Sequence, residues 1–135
     1  MALQYSVAVR NAQLDALETA IGTGAVLKIK SGAAPANCAA ADSGTVLATL
    51  TLPSDWMAAA SSGSKAKSGT WEDASADATG TAAHWRLYAS DGTTCHAQGT
   101  VTATGGGGDM TVDNTSFASG QSVTVTSFSI TAGNA

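Results

Sequence analysis

Charge is scarce in this 135-residue chain: six Lys and Arg and ten Asp and Glu leave a net charge of −4 and a pI of about 4.7. So few cations offer no basic face to a phosphate backbone, so no nucleic-acid partner is expected. Aromatics are only 5%, and large aliphatics are short too, because 28 of the apolar residues are alanine. Leu, Ile, Val and Phe together number 21, which makes a thin interior. With so modest a net charge the expectation is still a folded Ala/Thr/Gly-rich domain, one that gains stability from partner contacts. At this length there is room for one core. No apolar run reaches the roughly 18 residues of a membrane span, so no membrane partner is expected. Gln4, Arg10, Asn11 and Asp15 stand where a secretory signal would be apolar, so synthesis in a cytoplasm is expected.

Cysteine is nearly absent. Cys38 and Cys95 lie 57 positions apart and match neither a zinc nor a thioredoxin spacing. Two readings stand: a pair of buried thiols acting as small hydrophobes, or a disulfide joining the Cys38 loop to the Cys95 strand in an oxidising compartment.

What is present divides into residues 1–22 and residues 24–135, within one domain overall. In the first part Leu3, Val7, Leu14, Leu17 and Ile21 recur at helical steps, and Gly22 and Gly24 supply a stop. The narrow seam packs on its own sheet or docks on a neighbouring subunit. From Gly24 onward the period falls to two and turn residues crowd in, which predicts short strands. Strands are expected over 25–30, 45–52, 83–88, 95–101, 109–113 and 123–130, with a loop over 31–44 and a helical turn over 54–60 anchored by Trp56 and Met57. Residues 61–67 read as an open connection, and Trp71 with the acidic Glu72, Asp73 and Asp77 as solvent-facing. The fold class is therefore mainly β: a single small antiparallel sandwich or barrel-like domain with an N-terminal helix.

Parity makes one hairpin specific. Bringing Trp85 opposite Gly99 and Leu87 opposite Ala97 aligns the apolar faces, requires an odd loop, and puts Gly92 in the left-handed region. The opposite pleat then gathers His84, Arg86, Tyr88 and His96 into a polar outer face, and Cys95 falls on the Trp85 side. In the last strand the apolar residues switch from odd (Val123, Val125) to even (Phe128, Ile130), which predicts a bulge near Thr126 or Ser127. The glycines at 105–108 read as a flexible loop tip or as a place where a partner's backbone comes close.

Reactive groups are few. His84 and His96 lack a third ligand on their own face, so no metal is expected. No Gly-x-Ser-x-Gly elbow or triad can be assembled, the acidic run lacks the spacing of a calcium loop, and the glycine run lacks the Lys-Ser/Thr ending of a phosphate cradle. Sugar stacking on Trp71, Trp85 or Tyr88 is a weaker alternative. The expectation is a protein that is not an enzyme and holds no cofactor.

The blocks "TVLATLTLPSDWMAAA", "GTAAHWRLYASDGTTCHAQGTVT" and "SVTVTSFSITAGNA", with the N-terminal helix, make the whole chain resemble the small virion structural proteins of tailed bacteriophages. The resemblance is one of overall text and carries no catalytic residue across. It implies a capsid decoration or cement protein on the capsid exterior, whose partners are the major capsid protein and itself, as a homotrimer. The alternative it leaves is a tail, neck or fibre component that meets tail proteins or a host receptor. For contacts the residues nominated are Leu3, Val7, Leu14 and Leu17 on the helix seam and His84, Arg86, Tyr88 and His96 on the hairpin face.

Overall fold

Ser6 opens the helix as expected of an N-cap: its hydroxyl accepts from the Val9 amide at 3.3 Å. A computed structural model of the chain describes residues 2–133, and in it helix α1 spans Val7–Ile21 and closes at Gly22, whose amide donates to the Glu18 carbonyl. Leu3 precedes the helix in an irregular lead. Ten strands follow: β1 (Val26–Lys30), β2 (Val46–Thr51), β3 (Ser64–Ala66), β4 (Glu72–Asp73), β5 (Gly80–Thr81), β6 (His84–Tyr88), β7 (Cys95–Ala103), β8 (Met110–Val112), β9 (Ser116–Phe117) and β10 (Val123–Thr131). Strand makes up 37% and helix 11%, so the chain is mainly β with one N-terminal helix.

Eight strands form one curled half-barrel sheet in the order β2-β1-β6-β7-β8-β10-β3, with β4 also paired to β10; β5 and β9 pair separately. The expected bulge is there: register shifts between Val125 and Ser127, so Val123, Val125 and Phe128 are all buried. One pairing departs from the antiparallel expectation. β7 and β8 run parallel, Val101 beside Met110 and Ala103 beside Val112. The link of 104–109 turns straight back along β7, and glycine allows it. A Cβ at Gly108 would stand 2.9 Å from the Thr102 side chain and one at Gly106 would stand 2.7 Å from it, so the run is a close approach of the chain to itself.

The interior is organised on four rings. Trp56 lies 6.0 Å from Trp71, Trp71 5.4 Å from Phe128, and Phe128 5.2 Å from Trp85, edge to face. Trp71 is fully buried, which corrects its reading as solvent-facing; its indole N–H donates to the Trp56 and Ser68 carbonyls. Trp56 and Met57 are buried as expected, but 54–60 forms no helical turn. Its amides are taken by other partners: Met57 donates to Glu18, Ala58 to the Ala66 carbonyl, and Ala60 to Asp15. Part of the expected open connection at 61–67 is instead β3, and Glu72 and Asp73 pair with β10 as β4.

Candidate functional site

Along β6 the expected register holds at His84–Thr100, Trp85–Gly99, Arg86–Gln98 and Leu87–Ala97. All five residues of the strand are nevertheless buried: Trp85 and Leu87 face the core, and segment 31–44 folds over His84, Arg86 and Tyr88 on the polar pleat. His84 Nδ1 donates to the Gly32 carbonyl at 2.8 Å, and Gln98 Nε2 to the Pro35 carbonyl at 2.6 Å. Arg86 Nη2 reaches the carbonyls of Cys38 at 2.9 Å, Ala40 at 3.2 Å and Asn37 at 3.4 Å, while Nη1 pairs with Asp42. Lys30 Nζ meets the other Asp42 oxygen at 3.0 Å, and the Tyr88 hydroxyl lies 2.8 Å from both carboxylate oxygens. His84, Arg86 and Tyr88 are thus internal groups rather than an outer contact face, and Tyr88 is no platform for a sugar.

His96 alone of the four stays exposed, and the reason is a second bulge. Register shifts between Leu87 and Tyr88, so Cys95 rather than His96 stands opposite Tyr88. Cys95 therefore joins the loop-covered side, beside Arg86 and Cys38, instead of the Trp85 side. Both thiols are free and half-buried. Gly92 does adopt a left-handed φ of 70°, in a turn closed by the Ala89 amide on the Thr94 carbonyl.

Electrostatics explain why the loop stays down. Burial opposes the Asp42 charge, but hydrogen bonds from Lys30 and Tyr88 and the Lys30 charge outweigh it and hold the carboxyl at about 2. Burial and the adjacent carboxylate push the Tyr88 phenol above its usual range. Burial and the neighbouring Cys95 push the Cys38 thiol up to about 11, so it is protonated at neutral pH. Two buried cations share one carboxylate, and three loop carbonyls accept from the guanidinium Nη2. The chemistry of this arrangement is to fasten a loop.

A second feature lies on the helix, which is mounted with charged groups toward the protein. Asn11 Oδ1 accepts from the Gly63 amide at 2.9 Å, and the Arg10 Nε donates to the Ala132 carbonyl at 2.5 Å. Buried Lys65 in β3 bridges Asp15 at 2.7 Å and Glu18 at 2.9 Å. Gly63, at φ 73°, leaves the space that the Arg10 guanidinium fills, since a Cβ there would stand 2.1 Å from it. Only Leu14 and Ile21 of the helix are buried. Leu14, nominated as a contact, is 3% exposed and belongs to the interior, whereas Leu3 (66%), Val7 (50%) and Leu17 (37%) face outward. Every exposed large hydrophobic residue among those described lies in this N-terminal part, Tyr5 and Val9 included. Beside Leu17 an open groove of about 500 Å³ continues the apolar surface past Ala97, Phe128 and Ile130.

Lys30, Asp42 and Lys65 were not among the residues singled out from sequence. The available signal was Asp42, the one charged residue in 31–44, beside the cations of β1 and β6. Among the described residues no three His, Cys, Asp or Glu side chains converge as a metal site, and no helix is long and apolar enough to cross a membrane. Comparison with protein-family models, with curated proteins and with solved structures finds no match.

Proposed function

We propose that this chain is a structural protein of a phage virion, a decoration or cement protein that adheres to the capsid exterior through its N-terminal segment. The observation that carries the reading is that the exposed large apolar residues among those described, Leu3, Tyr5, Val7, Val9 and Leu17, all lie in the helix and its lead, while Arg10, Asn11, Asp15 and Glu18 fasten the helix to the rest of the protein. Exposed apolar residues gathered in the N-terminal segment, beside the groove at Leu17, offer a docking site, since burying them on a partner is favourable by about 25 cal/mol per Å². The resemblance of the chain to small virion proteins supplies the partner: the major capsid lattice, with further copies of this chain. Repetition over a lattice adds avidity to a small contact.

The reading assigns no catalytic residue and no cofactor. Its test is location. A gold-labelled chain imaged on particles from the genome that encodes it should coat the head at high copy number; label confined to the tail, or no label on particles, would overturn the assignment.

A further inference from the structure

Nothing in the proposed function uses the two cysteines, yet the fold brings them together from opposite sides of the loop interface. Cys95 is placed opposite Tyr88 by the β6–β7 bulge, on the pleat that segment 31–44 covers. Cys38 sits in that segment, its carbonyl accepting from Arg86 Nη2 at 2.9 Å, which places it on the side of the sheet that Cys95 faces, near enough for the Cys95 thiol to act on the Cys38 thiol. Both residues keep partial solvent access, so a small reagent reaches them. Without the bulge Cys95 would point toward Trp85 and the pair would be separated by the sheet.

We infer that Cys38 and Cys95 form a redox-operated staple, in which a small-molecule disulfide converts the facing thiols into an intramolecular disulfide that fixes segment 31–44 to β7. One protein thiolate attacks the small disulfide, forming a mixed disulfide and releasing one small thiolate. The second protein thiolate attacks the protein sulfur of that intermediate, the Cys38 Sγ–Cys95 Sγ bond forms, and the second small thiolate leaves. The two protons lost by the protein end on the two released thiols; the protein gives up two electrons and the small disulfide accepts them. In a reducing cytosol the segment is held by its hydrogen bonds and the Asp42 ion pairs, and in an oxidising compartment it is also tied covalently. This inference is independent of which assembly the chain joins.

The test takes the reduced full chain and incubates it with oxidised glutathione. The expected product has lost the mass of two hydrogen atoms, yields a Cys38–Cys95 linked peptide, and melts higher by roughly 10 °C, reversed by dithiothreitol; this is the size expected from closing a loop of this length. Cys38→Ser and Cys95→Ser should each stop at one glutathione adduct with no rise in melting temperature. Wild-type protein that accumulates glutathione adducts, forms disulfide-linked dimers, remains unreacted, or closes the bond without a rise in melting temperature would overturn the staple.

Discussion

Replacing Asp42 by alanine removes the only carboxylate among the described residues that meets Lys30 and Arg86, whose side chains are 3% and 2% exposed. Breaking a buried ion pair from one side costs about 3–5 kcal/mol, because the surviving charge stays desolvated. The Asp42 side chain is itself 42% exposed, so water reaches the vacated position, and the lower end, about 3 kcal/mol, applies here. That is a large share of the roughly 5–15 kcal/mol that holds a domain folded, and it lowers the melting temperature by roughly 10 °C. Urea unfolding of Asp42→Ala measures the loss directly, and hydrogen exchange in 31–44 should accelerate more than in β8 and β10, since the ion-pair partners of Asp42 lie in β1 and β6. Asp42→Asn retains an acceptor for Tyr88 and should lose less. A loss of under about 1 kcal/mol, with exchange in 31–44 unchanged, would show that the pair behaves as an ordinary surface bridge and that the loop is held by something else.

The same carboxylate sets an acid limit. Its folded value of about 2 lies below the ordinary 3.8, so its stabilisation is full above 3.8 and fades as pH falls toward about 2; acid melts of wild type should lose stability there that Asp42→Ala no longer has to lose. Helix orientation is checked by a pair of truncations: Leu14→Ala should cost about 2–4 kcal/mol and Leu17→Ala under about 0.5 in thermal melts, and equal losses would mean a different helix face is buried. Gly63→Ala combines a left-handed backbone with displacement of Arg10, so a loss of about 1–2 kcal/mol in denaturant unfolding is expected, and a neutral result would contradict the docked guanidinium.

Much of the sheet was legible because period two carries face information. Pairing Trp85 with Gly99 followed from making the apolar faces coincide, and the Thr126 bulge from the switch between Val125 and Phe128. Parity cannot say whether a polar face meets water or a loop. His84, Arg86 and Tyr88 alternate as an exposed face does, and the Ala-rich segment that covers them has no periodicity of its own; its backbone carbonyls and the single Asp42 do the work of recognition. The bulge at Leu87–Tyr88 was invisible for a related reason: with alanine, cysteine and histidine in the returning strand, no apolar pattern registers a one-residue slip. On the helix, spacing identified the stripe but not its rotation. Leu14 and Ile21 turned inward, while the fit of Asp15 and Glu18 to buried Lys65 left the rest of the stripe outside.

Adhesion through that outward stripe is the central claim, and retention on assembled particles tests it most directly. Quantitative mass spectrometry of purified particles should find the wild-type chain at high copy number, with Val7→Glu and Leu17→Glu variants depleted at least about tenfold although their isolated melting curves match wild type, as a lost contact of about 1.4 kcal/mol requires. Undiminished incorporation of the folded variants, or absence of the wild-type chain from particles, would contradict it.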